Sequence, residues 1–417
     1  MRVPLSWLRD YVPLSMPIRE LADRLSISTA EVNTIESRGP IDEDGNHTLF
    51  LVGKVLEAGK HPNADRLQLC QVDVGEGSPR QIVCGAWNFG AGATVAVALP
   101  GARLPGVEEP LGEAKLRGEA SRGMILSERE LELGGDHTGI MVLPETEPGT
   151  PLADVFPLAD SILDIEPTGN RVDLLCVYGI AREVAALFGV ELAPPPGVDP
   201  EPRGTEAVDI RIEDLVGCPR YVGRTFSGVR VGPSPPWLRA RIAGAGMRPI
   251  SNVVDITNYV MLALGNPLHA FDRTSLAGDR IVVRRASRGE KLRTLDGVER
   301  ELDEQDLVIA DGERAIALAG IMGGEETEVR DTSTEILLEA ANFEPFGLLR
   351  SSERLKLRTE GSNRWEKGVD PYLALQAASF ATQLLVDLAD AHWLGDTDVR
   401  GELPARPVVH FRPARAD

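Results

Sequence analysis

Cysteine and histidine are scarce in this sequence, with four and six copies respectively. The cysteines Cys70, Cys84, Cys176 and Cys218 are scattered and include no CxxC pair, which argues against a disulfide framework or a zinc site. The histidines form no HxxxH or HExxH pattern. We therefore expect no metal centre in this chain, and unpaired cysteines fit a reducing, cytoplasmic location.

Long apolar runs and an excess of positive charge are also missing. The apolar runs are short and broken, so no transmembrane helix and no membrane partner are expected. The first residues, "MRVPLSWLRDYVPL", lack the pattern of a signal peptide. With 44 basic and 64 acidic residues the formal net charge is −20, a poor match for nucleic acid as a whole. We expect no DNA partner, and any RNA contact must come from a local surface.

The length of 417 residues exceeds one ordinary core, and the texture of the chain changes along it. Residues 1–39 have helical spacing, whereas 40–151 carry short Val-rich runs separated by Gly and Pro, typical of a small barrel. A helical stretch follows within 152–195. The proline-rich "ELAPPPGVDPEPRG" then predicts a linker before a mixed α and β region at 206–400. The predicted fold class is therefore a multidomain α+β protein.

A locally basic turn interrupts the acidic chain in the second region. Lys115, Arg117 and Arg122 lie among glycines, a pattern compatible with a phosphate-binding surface or with a solvated turn. Upstream, His61 and Asn63 lie in "HPNAD", which predicts a turn between two strands. On residue types alone, that turn has no assigned function.

The third region contains an apolar helix, "ISNVVDITNYVMLALG", with Thr257 and Asn258 as polar residues that need partners. Gly265 and Pro267 end this helix, and His269 is expected on the loop that leaves it. Glu339 follows the apolar run "ILL", where a lone carboxylate is costly unless it is paired. Taken alone, His269 fits a structural role in the core as well as a functional one.

Four motifs in the second region resemble a tRNA-binding oligonucleotide-fold domain. They are "GKVLEAGKHPNADRLQLCQVDVG", "IVCGAWN", "VAVALPGARLPG" and "KLRGEASRGMILSERELEL". The flanking segments "RVPLSWLRDYV" and "TGNRVDLLCVYGIAREVAALFG" resemble two halves of one small domain of the β subunit of bacterial phenylalanyl-tRNA synthetases. The resemblance implies a helical domain, 1–39 plus 152–195, that is split by an OB-fold insertion at 40–151. It also implies that Lys115, Arg117, Arg122, His61 and Asn63 contact tRNA.

The third region resembles the editing domain of the same subunit family through "ISNVVDITNYVMLALGNPLHAFD", "LAGIMGG", "ILLEAANF" and "RTEGSNRWEKGVDP". In that family this domain hydrolyses tyrosine wrongly attached to the phenylalanine tRNA. The resemblance implies one cavity, for which we expect the following roles. His269, Asn258 and Thr257 are the candidate catalytic residues, and Glu339, Gly323, Gly324 and Arg248 are the candidate substrate-binding residues.

Tyrosine and phenylalanine differ by one hydroxyl, so a buried acceptor such as Glu339 is expected to discriminate between them by roughly 10⁴-fold. The terminal hydroxyl of the tRNA is an alternative to His269 as activator of the attacking water.

Three functions remain open at this point. The first is a phenylalanine–tRNA ligase β subunit that edits and binds tRNA(Phe) in an α₂β₂ heterotetramer, with ATP and Mg²⁺ used by the α subunit and no cofactor in this chain. The second is a freestanding aminoacyl-tRNA deacylase, and the third is a non-enzymatic tRNA-binding protein. Family members are roughly twice as long as this chain, so residues 401–417 are expected to start a further domain.

Overall fold

The computed structural model describes residues 1–134 and 139–412. The chain divides into two compact units. Unit 1 comprises Met1–Val198, Arg230–Gly265 and Gln383–Ala391, and unit 2 comprises Asp199–Val229, Asn266–Thr382 and the chain from His392 onward. Among the described residues, no helix combines the length and the apolar character needed to cross a lipid bilayer.

Unit 1 contains ten strands and five helices within the described residues. The strands are β1 (Arg2–Pro4), β2 (Glu31–Arg38), β3 (Phe50–Lys60), β4 (Gln68–Asp73), β5 (Arg80–Cys84), β6 (Thr94–Ala98), β7 (Ala114–Leu116), β8 (Glu119–Ser121), β9 (Met124–Ile125) and β10 (Asp160–Glu166). The helices are α1 (Leu5–Leu8), α2 (Ile18–Ser28), α3 (Val177–Phe188), α4 (Pro236–Gly244) and α5 (Asn252–Leu264).

The segments before and after the barrel share one antiparallel sheet, in the order β1-β10-β2. The helical prediction for residues 1–39 is therefore wrong for β1 and β2. Strand β2 has an exposed and half-buried pattern without strict alternation, and it pairs with β10. That partner lies more than a hundred residues later, so a local pattern could not indicate it.

The second predicted region forms a small, nearly closed barrel. Its five antiparallel strands follow the order β5-β4-β3-β6-β9, and its end strands β5 and β9 lie close together. Inward-facing valines and Ile82 fill its centre. Strands β7 and β8 form a separate hairpin at its edge. The predicted turn at 61–65 lies between β3 and β4.

Unit 2 contains the remaining strands and helices. The strands are β11 (Asp209–Ile212), β12 (Arg220–Ser227), β13 (His269–Asp272), β14 (Arg280–Arg285), β15 (Lys291–Arg293), β16 (Glu299–Glu301), β17 (Leu307–Ala310), β18 (Ala315–Leu318), β19 (Met322–Gly323), β20 (Ile336–Asn342) and β21 (His392–Arg400). The helices are α6 (Pro345–Leu355), α7 (Glu360–Trp365) and α8 (Leu373–Leu388), of which α8 belongs to this unit as far as Thr382.

Two sheets pack face to face in unit 2. One is antiparallel, in the order β13-β20-β12-β21, and the other is mixed, in the order β11-β14-β17-β18-β19. Phe271 and Leu337 of the first sheet join Val283 and Ile309 of the second in one buried cluster. The outer face of the first sheet packs on α8 through alanines. Because β20 is buried along its whole length, any polar group on it lies inside the protein.

The helix predicted in the third region is confirmed. Helix α5 ends at Gly265, whose φ of +90° is the left-handed conformation expected of a C-terminal glycine. Strands β17 and β18 form an antiparallel hairpin, and the turn between them contains Asp311 and Gly312. The prediction of a loop at His269 is wrong, since this residue begins β13 and pairs with β20.

Candidate functional site

Strand pairing places His269 and Glu339 side by side. His269 of β13 pairs directly with Glu339 of β20, and Gly223 of β12 pairs with Glu339 from the other side. Directly paired residues project from the same face of a sheet. The three positions therefore share the inner face of the first sheet, which packs against the second sheet.

Glu339 is a buried carboxyl that is bound by a tyrosine. Glu339 is only 5% exposed. Its Oε2 accepts a hydrogen bond of 3.0 Å from the hydroxyl of Tyr221, a fully buried residue of β12. Burial raises the pKa of Glu339 to about 8, and the Tyr221 hydrogen bond lowers it in part. Burial and the nearby carboxyl hold the pKa of Tyr221 well above its usual range, so Tyr221 keeps its proton.

His269 has a buried ring nitrogen, Nε2, that has no hydrogen-bond partner among the described residues. Its ring meets the ring of Phe271 edge to face, at 4.5 Å between centroids. Burial lowers the pKa of His269 to about 4, so the imidazole is neutral throughout the physiological range. Buried polar atoms in native proteins nearly always have partners, so this nitrogen is suited to a water or a substrate group.

Gly323 makes room for that imidazole. A Cβ atom at this position would lie 2.6 Å from both Cε1 and Nε2 of His269, a separation that real Cβ atoms essentially never show. Its neighbour Gly324 lies equally close to backbone, because a Cβ there would be 2.5 Å from the carbonyl oxygen of Ile316. These two glycines, which are candidate substrate-binding residues, thus lie close to His269 and Ile316 within the protein.

The other predicted residues of the cavity belong to unit 1. Thr257 is buried in α5 and donates its hydroxyl to the carbonyl of Val254 at 2.7 Å, within the same helix. Asn258 is half-buried on α5, and Arg248 is exposed in the segment before it. Unit 2 by itself therefore brings together His269, Gly323 and Glu339, and Tyr221 is an addition that the sequence analysis missed.

One signal could have indicated Tyr221. In "RYVGRTF" the tyrosine lies on the same face of a buried strand as Gly223, two residues later. A buried tyrosine hydroxyl usually needs a hydrogen-bond partner. Its acceptor is 118 residues away in the chain, so the pair becomes visible only through the register of β12 and β20.

The predicted tRNA-binding residues of the barrel divide into supports and exposed cations. His61 is buried, and its Nδ1 accepts from the backbone N–H of Asn63. Its Nε2 must then carry the proton that is donated to the carbonyl of Leu116 at 3.1 Å. Asn63 donates its side-chain amide to the carbonyl of Arg117. Both residues tie the turn at 61–65 to the β7–β8 hairpin.

The exposed cations lie on and beside that hairpin. Lys115, Arg117 and Arg122 are all exposed, and Arg117 occupies the turn with a φ of +51°. We call these three residues the basic hairpin. Glu119 on the same hairpin accepts a hydrogen bond from Gln81, so this carboxylate is directed toward β5.

Two family models match separate parts of the chain. A putative tRNA binding domain matches residues 50–151, and a B3/4 domain matches residues 217–390. The first range contains the barrel and the basic hairpin. The second contains Tyr221, His269, Gly323 and Glu339.

Several curated proteins are similar to the whole chain. The phenylalanine–tRNA ligase beta subunit of Symbiobacterium thermophilum is 46% identical over 427 residues, which cover 100% of this chain and 47% of that protein. The beta subunits of Nitratidesulfovibrio vulgaris and Moorella thermoacetica are 46% and 48% identical, each over 100% of this chain and 52% of theirs. The chain therefore spans about half the length of these relatives.

Proposed function

Since the chain belongs, over the half of their length that it matches, to the family of phenylalanine–tRNA ligase beta subunits, we propose that it edits aminoacyl-tRNA. In this proposal the barrel binds tRNA(Phe), and the B3/4 domain hydrolyses tyrosine that has been attached to it by mistake. The substrate is the ester between the tyrosine carbonyl and a terminal ribose hydroxyl of the tRNA.

The observation that carries the proposal is the buried carboxyl of Glu339. Among the described residues, its one hydrogen bond is to Tyr221, and no arginine or lysine pairs with it. A carboxyl buried without a cation is costly for the fold, and such costs are concentrated at functional sites. A tyrosine hydroxyl would donate to this carboxyl, whereas a phenylalanine ring offers no donor.

The neutral imidazole of His269 fits a role in positioning groups at the ester. A general base works best when its pKa lies near the working pH, and the pKa of His269 is about 4. A neutral imidazole with a free Nε2 can still hold the attacking water or the ester oxygen in place. Water then adds to the carbonyl carbon, the bond to the ribose oxygen breaks, and that oxygen takes a proton, releasing tyrosine and tRNA.

Tyr221 changes the expected size of the discrimination. Because its hydroxyl already satisfies one oxygen of Glu339, a bound phenylalanine does not leave the carboxyl without any partner. The preference for tyrosine then rests on one added hydrogen bond to a charged group. Such a bond contributes about 1.5–3 kcal/mol, or roughly 10- to 150-fold, which is below the 10⁴-fold expected for an unpaired acceptor.

Binding of tRNA is assigned to the basic hairpin. His61 and Asn63 hold the neighbouring turn against it and are assigned to support, since the ring nitrogens of His61 are both bonded within the protein. Thr257, Asn258 and Arg248 remain candidates for placing the ester, on the family resemblance. The proposed domains are a small domain split into 1–39 and 152–195, an OB-fold domain at 40–151 and an editing domain at 206–400.

The remaining features of the whole protein are proposed from the family. We assign ligase chemistry with ATP and Mg²⁺ to a partner α subunit, in a cytoplasmic α₂β₂ heterotetramer. The described residues contain no group of three or more His, Cys, Asp or Glu side chains placed to hold a metal ion.

Two variants test the proposed roles. At a pH above 8, where Glu339 is ionised, Glu339→Ala should lower the ratio of Tyr-tRNA to Phe-tRNA hydrolysis by roughly 10- to 150-fold, since the hydroxyl loses its charged acceptor. His269→Ala should slow hydrolysis of both esters with less change in their ratio. For each variant, initial rates of hydrolysis of both esters are measured with the full chain and any subunit that copurifies. If Glu339→Ala keeps the wild-type ratio, the acceptor lies elsewhere. Binding of tRNA without hydrolysis would favour a non-enzymatic role.

A further inference from the structure

The acceptor proposed for a substrate hydroxyl already holds a hydroxyl of the same chemistry. Tyr221 presents a phenol to Glu339, the group that distinguishes tyrosine from phenylalanine. This contact uses Oε2 of the carboxyl. Among the described residues Oε1 has no hydrogen bond, so it remains able to accept a second hydroxyl.

The phenol of Tyr221 is fixed in place by the sheet. Tyr221 pairs with Ala341, and Gly223 pairs with Glu339, so the tyrosine and the carboxyl are diagonal neighbours on one face. The Tyr221 residue is fully buried within the core between the two sheets. Gly223 adds no side chain beside Glu339, and a Cβ there would lie 2.5 Å from Cδ1 of Ile210. The packed ring therefore holds its hydroxyl in one position.

No charged side chain among the described residues offsets the charge of Glu339, so this hydrogen bond is decisive. The titratable groups that face Glu339 are Tyr221 on β12, His269 on β13 and Cys218 just before β12. The pKa of Cys218 lies well above its usual value and that of His269 lies well below, both through burial, so neither group is charged at neutral pH. The second sheet presents apolar side chains such as Ile210. The hydroxyl of Tyr221 is thus the group that favours the carboxylate form.

We propose that Tyr221 is a positioning residue of this site, which orients Glu339 and leaves Oε1 to accept the hydroxyl of a tyrosyl ester. The inference rests on the proposed editing function. Tyr221 itself need not touch the substrate. Its contribution is to keep the carboxyl in one orientation and to favour ionisation, because an ionised acceptor binds a hydroxyl more strongly than a neutral one.

The test is the ratio of Tyr-tRNA to Phe-tRNA hydrolysis between pH 6 and pH 9.5, corrected for the enzyme-free rate. In the wild type this ratio should rise as Glu339 ionises near its pKa of about 8. Tyr221→Phe should lower the ratio at pH 8 by about five- to tenfold and move the midpoint to higher pH, since a charge-assisted hydrogen bond is roughly twice as strong as a neutral one. Tyr372→Phe is the matched control, because Tyr372 is 38% exposed.

A second substitution should move the midpoint of this pH dependence in the opposite direction. Tyr221→3-fluorotyrosine keeps the ring and strengthens its hydroxyl as a donor, so the midpoint should move to lower pH. A midpoint that moves in neither variant overturns the positioning role, and a ratio that rises in Tyr221→Phe shows that Tyr221 competes with the substrate. If the wild type already lacks a preference at every pH, the proposed editing function fails and this inference fails with it.

Discussion

Replacing Glu339 by glutamine should change how the stability of unit 2 depends on pH. The pKa of this carboxyl is raised from 4.5 to about 8 in the folded protein. A raised pKa gives the folded state the tighter hold on the proton, so the contribution to stability is complete below pH 4.5 and is lost as pH rises to about 8. At 1.36 kcal/mol for each pKa unit, the loss amounts to at most about 5 kcal/mol. Glutamine has no charge to bury and lacks this loss.

The comparison is made between wild type and Glu339→Gln at the same pH. Free energies of unfolding are measured by urea titration at pH 5, 7 and 9. Unfolding is followed by pulsed hydrogen exchange of the amides of β20, because a chain of two units need not unfold in one step. The wild type should lose stability relative to the variant as pH rises. Glu353→Gln on α6 is the control, since this carboxyl is exposed. A constant difference between wild type and Glu339→Gln would contradict this prediction, because it would show that Glu339 does not ionise near pH 8.

Two further predictions concern Gly323 and the basic hairpin. Gly323→Ala should destabilise unit 2 by about 1–3 kcal/mol through overpacking against His269, and much of this loss should disappear when His269→Ala is added. Urea titration measures both, and Gly361→Ala is the control because its Cβ would meet nothing closer than 3.6 Å; additive effects would contradict the contact. Replacing all three residues of the basic hairpin by alanine should reduce the slope of log affinity for tRNA against log salt by about 2–3. An unchanged slope would remove the hairpin from the tRNA-binding surface.

The sequence predicted the elements whose signals are local. The apolar run before Glu339 indicated a buried carboxylate that needs a partner, and β20, which carries it, is buried throughout. The spacing of apolar residues and Gly265 indicated α5 and its end. These predictions succeeded because periodicity and turn residues act over a few positions.

The sequence did not predict the features that depend on distant partners. His269 begins a strand of four residues, which is too short for an alternating pattern and is held by pairing with β20. The Tyr221–Glu339 hydrogen bond depends on the register of two strands far apart in the chain. The sequence did not indicate that Gly323 also packs against the imidazole of His269 in the same unit. In each case the role of the residue depends on tertiary packing, which a local sequence pattern does not indicate.

The most direct test of the account is the hydrolysis of Tyr-tRNA and Phe-tRNA by the wild-type chain, with any subunit that copurifies. The tyrosyl ester should be hydrolysed faster than the phenylalanyl ester, by roughly 10- to 150-fold once Glu339 is ionised. The ratio of the two rates should be smaller at pH 6. Equal rates for the two esters at every pH, or rates no higher than those in buffer, would contradict it.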